Sequence, residues 1–138
     1  MVLRTAVVCE DDQALAAALT AMLSGHALRV AAVVDRGADL LAAVRRHEPA
    51  VIIVDAALLG AQGVRLLPRL RAHSEARLVA LCPPGLELPG LEGADALVPG
   101  DDLGPLRQVL IELASTADGG SDGPPGASGR VSTNAVPA

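Results

Sequence analysis

The run Ala50-Val-Ile-Ile-Val54 is apolar without interruption and ends directly in Asp55. A strand with one face in water alternates apolar and polar residues. A strand buried on both faces does not, and such strands belong to parallel sheets covered by helices on each side. Four other short β-rich runs occur, at 5–9, 29–34, 77–82 and 94–98. Helical spacing fills the intervals. Leu15, Leu19, Met22 and Leu23 fall on one helix face, and Leu40, Leu41 and Val44 line a second. Val64, Leu67 and Leu70 mark a third, in which Pro68 should sit near the start or cause a kink. Leu103, Leu106, Val109, Leu110 and Leu113 mark a last one. Strands alternating with helices imply βαβ units with right-handed crossovers, so the expected class is α/β, a three-layer (βα)5 doubly wound parallel sheet. One unit departs from this pattern. Between Cys82 and Ala94 three Pro and three Gly stand in eleven residues, which predicts a helix reduced to a turn or lost.

With 138 residues, 51% of them apolar, the chain can bury a core, although it has no Phe, Tyr or Trp. That excludes a wholly disordered chain. No apolar run approaches the roughly 20 residues of a membrane span. Glu10, Asp11 and Asp12 arrive too early for a secretory signal, so a cytoplasmic location is expected. The net charge is -5 and all 11 basic residues are Arg. An acidic chain with no basic cluster and no aromatic ring for stacking offers nucleic acid no footprint. Cys9 and Cys82 lack zinc-site spacing and fit reduced thiols. Arg45-Arg46 and the arginines of 65–71 read as solvated helix faces. Residues 117–138, rich in Gly, Pro and Ser, read as a disordered tail behind a folded region of 1–116.

The first strand runs into Glu10-Asp11-Asp12, and the third into Asp55. In open parallel sheets ligands bind beyond the carboxyl ends of the strands. Acids on two neighbouring strand ends would converge there, and clustered carboxylate oxygens suit Mg²⁺. An Asp so placed can act as a nucleophile toward a phosphoryl group. Asp12 is equally suited to capping the first helix.

These residues resemble the receiver domain of bacterial response regulators. Val7 to Leu15 is similar to the family's opening strand and acidic pair, and Pro49 to Asp55 to its phosphoacceptor strand. Gly63 matches its loop glycine, and Gly93 to Val98 its fifth strand. The resemblance implies a flavodoxin-like strand order 2-1-3-4-5. It implies Asp55 as phosphoacceptor, and Mg²⁺ held by Glu10, Asp11, Asp55 and the backbone carbonyl of Ala57. It also implies a sensor histidine kinase or phosphotransfer protein as partner, a possible homodimer through the last helix, and no catalysis beyond the domain's own phosphorylation and dephosphorylation.

Three family positions depart from the pattern. The strand-ending Thr or Ser is Cys82, the strand-ending Lys is Gly100, and the aromatic switch residue is Leu97. The loop after Asp55 carries Leu59 and Gln62 where Pro and Asp are usual. No Lys or Arg occurs from Pro83 through Leu106, while Glu87, Glu92, Asp95, Asp101 and Asp102 do. Each lost hydrogen bond to a charged group costs about one to two decades in an equilibrium constant. Three readings stay open: a receiver phosphorylated at Asp55 with an impaired switch, a phosphorylation-independent pseudo-receiver acting as an interaction module, and a small-molecule-binding Rossmann-like domain.

Overall fold

A computed structural model describes residues 4–59, 63–85 and 91–120. It divides into a unit of residues 1–106 and a second of residues 107–138. The first unit holds five strands: β1 (Arg4–Cys9), β2 (Leu28–Val34), β3 (Val51–Asp55), β4 (Arg77–Cys82) and β5 (Ala96–Pro99). All pair in parallel, in the order β2-β1-β3-β4-β5. This is the expected flavodoxin-like order. The strands expected at 50–54 and 94–98 lie one and two residues further on, so Asp55 closes β3 rather than following it.

Helix α1 (Gln13–Gly25), α2 (Gly37–His47) and α3 (Gly63–His73) connect the first four strands. A single helical turn, Ala56–Leu59, follows β3 directly. One sheet face buries Val7, Cys9, Ile52, Val54, Leu78 and Ala80 against Leu40 and Val44 of α2 and Leu67 and Leu70 of α3. The alternate residues, Ala6, Val8, Ile53 and Val79, are also buried. They face the side of α1, whose inward positions are Ala16, Leu19 and Leu23. Burial on both faces is what the unalternated run at 50–54 requires. Each such Leu, Ile or Val contributes about 1.5–3 kcal/mol.

Pro68 lies in the middle of α3 and not at its start. It lacks the N–H that would reach back to Val64, a loss that the anchoring of Leu67 and Leu70 offsets. Between β4 and β5 the described residues contain only a 3₁₀ turn, Leu91–Gly93, in place of a helix. That agrees with the Pro and Gly content of this crossover.

The last helix, α4 (Gly104–Gly120), begins in the first unit and makes up the described part of the second. It continues past the boundary expected at 116. Residues 121–138, most of the expected tail, lie outside the described residues.

Candidate functional site

Register brings the acids together. Cys9 pairs with Val54 across β1 and β3, so Glu10 and Asp55 leave adjacent strands side by side. One carboxylate oxygen from each of Glu10, Asp11 and Asp55 lies within 4.8 Å of the others. The three differ in exposure. Asp11 is exposed, Asp55 is half-buried and Glu10 is only 3% exposed.

Local backbone fixes two of these carboxylates and the neighbouring Asp12. The Asp12 N–H donates to Oε2 of Glu10 at 3.1 Å. The Ala57 N–H donates to Oδ1 of Asp55 at 2.9 Å, an interaction made possible by the helical turn that starts at Ala56. Asp12 is not part of the trio. Its Oδ1 accepts from the Leu15 N–H at 3.1 Å and caps α1, the helix-capping role the sequence allowed.

Glu10 carries the electrostatic tension of the site. Its Oε1 is fully buried and has no hydrogen-bond partner among the described residues. Burial above all, then the neighbouring Asp55 and Asp11 carboxylates, pushes its carboxyl up to about 7. A buried carboxylate oxygen without a donor costs energy unless a proton or a cation meets it. Three hard oxygen donors with one orphaned fit a divalent cation such as Mg²⁺. Cys9 stands just behind, its thiol pushed up to about 12 by burial and by the surrounding acids, so it is an inert core residue.

The remaining positions lie on the far side of the crevice. Cys82 ends β4, half-buried, and burial and the Asp55 charge raise its thiol. Gly100 follows β5 and donates its N–H to the Cys82 carbonyl at 3.0 Å. Leu97 pairs with Ala80 and is 54% exposed. Leu59 is buried in the core, and Gln62 lies outside the described residues.

The acidity expected of 83–106 needs correction for Asp95. It precedes β5 at the amino ends of the strands, opposite the site. There it accepts from the Leu78 N–H at 2.7 Å and pairs with Arg71, with Arg77 at 4.0 Å. Arg71 also donates to the Gly93 carbonyl and, at 2.9 Å, to that of Ala76. Arg71 is therefore a clamp on the shortened crossover and not a member of a solvated face. A pairing across 24 positions leaves no periodic signal in the sequence. Asp102, at the site end, caps α4 through the Gly104 N–H at 3.0 Å.

The sequence profile of the response regulator receiver domain matches residues 6–82, more than half of the chain. The chain belongs to the response regulator receiver family. Solved structures agree on the fold. A DNA-binding response regulator of the LuxR family from Staphylococcus aureus is 22% identical over 80% of this chain and 98% of its own, with a TM-score of 0.66. A CheY-like receiver from Methylobacillus flagellatus is 24% identical, covering 79% of this chain and 99% of its own, with a TM-score of 0.62. The receiver domain of the sensor histidine kinase PA1611 from Pseudomonas aeruginosa PAO1, with magnesium coordinated in its active-site cleft, is 19% identical, covering 83% and 99%, with a TM-score of 0.63. No curated protein matches the sequence. No helix among the described residues is long and apolar enough to cross a membrane.

Proposed function

We propose that this two-component receiver accepts a phosphoryl group on Asp55 with Mg²⁺ as cofactor, and that its readout is impaired. The observation that carries the reading is the orphaned Glu10 oxygen inside the cluster of Glu10, Asp11 and Asp55. These three carboxylates would hold the ion, with the Ala57 carbonyl as a further donor. The ion supplies neutralisation of the charge that develops on the transferring phosphoryl oxygens. The magnesium-bound receiver of the Pseudomonas kinase supports the assignment.

In the transfer, a carboxylate oxygen of Asp55 attacks the phosphorus of a phosphohistidine on a kinase or phosphotransfer protein. The P–N bond breaks, its electron pair stays on the imidazole, and a P–O bond completes an acyl phosphate. The Ala57 N–H on Oδ1 fixes the orientation of the attacking carboxylate. Hydrolysis later returns the carboxylate and inorganic phosphate. The domain's catalysis is confined to these two steps on itself.

The readout is where Cys82, Leu97 and Gly100 enter. A thiol is a weak donor to a phosphoryl oxygen, and Gly100 offers no cation. Leu97 has no polar group to reorient toward the crevice. These departures favour a second reading, a pseudo-receiver that docks partners without phosphorylation. The family match favours the receiver readings over a Rossmann-like small-molecule site at the strand ends, with which the strand order alone is compatible. A homodimer through α4 belongs to either receiver reading.

Calorimetric titration with Mg²⁺ tests the metal half. Wild type should bind, and Glu10→Gln and Asp55→Asn should each weaken binding about tenfold or more. Unchanged binding in both variants would remove the site.

A further inference from the structure

We propose that the cleft between α2 and α3 is a binding site for a small organic phosphate, separate from the Asp55 crevice and independent of its phosphorylation. The cleft has a volume of about 510 Å³, within the range of small-molecule sites. Its floor is Leu41 and Leu66, both half-buried. Arg45 stands on one wall, and Arg65 and Arg69 on the other.

Three arginines line this one cleft in a protein of net charge -5, and no acidic residue lines it among the described residues. Among the described residues, Arg36, Arg71 and Arg77 each pair with an acid, whereas Arg45, Arg65 and Arg69, like Arg29, Arg46 and Arg107, pair with none, and of these six only the first three share a cleft. Arg65 and Arg69 lie one turn apart, so both reach the same opening. Arg65 sits in the first turn of α3, a turn with no acidic residue, where a cation opposes the helix dipole. Helix stability does not favour that placement, whereas an anion in the cleft would.

Gly37 closes one end. A Cβ there would come within 3.2 Å of the Leu58 carbonyl oxygen and touch Leu66, so α2 starts hard against the turn that follows β3. From Gly37 to Arg45 the cleft follows about two turns of α2, roughly 12 Å. That is short for a docked helix, which needs anchors over i, i+3, i+4 and i+7. It suits a ligand with one apolar body on Leu41 and Leu66 and a phosphate gripped by guanidinium forks.

The test is amide-resolved NMR of the full chain without Mg²⁺, titrated with phenyl phosphate, a dianion with an apolar body that is not an acyl-phosphate donor. We expect saturable shifts at 37–45 and 65–69, weakened by salt, with affinity about tenfold above that of inorganic phosphate. Arg65→Gln combined with Arg69→Gln should weaken binding about tenfold or more. Arg45→Gln on the opposite wall should also weaken it, and serves alone if the double variant does not fold. No saturation, shifts centred on Glu10 and Asp55, or equal affinity for inorganic phosphate would each overturn the proposal. Tighter binding of a Glu-rich peptide at the same residues would overturn it in favour of an acidic protein partner.

Discussion

Glu10 sets the pH behaviour of the site. Its carboxyl is ionised from about pH 4.5 in the unfolded chain but from about 7 in the fold. Below both values it is protonated in both states and costs nothing. As pH rises from 4.5 through 7 the folded state keeps a proton the unfolded state has lost, so this contribution to stability falls, then stays constant. The melting temperature without metal should therefore decline across that window, and Glu10→Gln should flatten the decline. Thermal melts from pH 4.5 to 8 check this; an unchanged slope in the variant would contradict it. Mg²⁺ competes with the same proton, so its apparent affinity should weaken below pH 7, by up to about tenfold per unit. Asp95 has the opposite sign. Its interactions with Arg71 and the Leu78 N–H hold its carboxyl below the usual range against the burial that raises it, and its contribution is lost only as pH falls through that lowered value. Glu10, Asp11 and Asp55 were legible because each stands at the end of an apolar strand. The burial of Glu10 was not, since a charged residue after a strand looks the same whether its oxygens meet water or the core.

Between β4 and β5 the chain is held by side-chain bonds where a packed helix would otherwise serve. Arg71 reaches from α3 to the Gly93 and Ala76 carbonyls and to Asp95, and Asp95 secures the Leu78 N–H. Asp95→Ala leaves that amide without its acceptor and takes the carboxylate from Arg71, which keeps the Gly93 and Ala76 carbonyls. It should cost about 2 kcal/mol, read as a lower urea midpoint with unchanged slope. An unshifted midpoint would show the clamp to be ornamental. Gly100 permits the opposite kind of change. The three atoms nearest a Cβ there belong to Cys82 and Leu81 and lie at 3.7–3.8 Å, ordinary contact distances. Gly100→Lys should fold as wild type and lengthen the acyl-phosphate lifetime by about tenfold, measured by decay of the phosphorylated species; equal lifetimes would place the defect elsewhere. At this scale the strands were readable from unalternated apolar runs between helical spacings, and their order only from the resemblance to the receiver family. That the described part of the β4–β5 crossover holds a 3₁₀ turn and not a longer helix was readable from Pro and Gly. The Arg71 clamp was not, because it depends on a contact between α3 and Asp95, just before β5, that only the assembled sheet creates.

At the largest scale the described fold is that of a receiver whose crevice keeps the family's acidic residues and departs from its pattern at Cys82, Leu97 and Gly100. Both halves of the crevice are strand ends of one sheet, so the fold survives either way. Buried aliphatic residues on both sheet faces stabilise it without reference to Leu97 or Gly100, and Cys82 only packs against the edge of that core. Family membership therefore follows from the core and the acids, whereas the proposed impairment of the readout rests on Cys82, Leu97 and Gly100. The central claim is that Asp55 accepts a phosphoryl group. The most direct measurement is intact-mass spectrometry of the full chain after incubation with Mg²⁺ and acetyl phosphate, with Asp55→Ala alongside. We predict one phosphoryl group on the wild type and none on the variant. A folded wild type that binds Mg²⁺ yet gains no mass, or a variant that gains the same mass, would contradict the account.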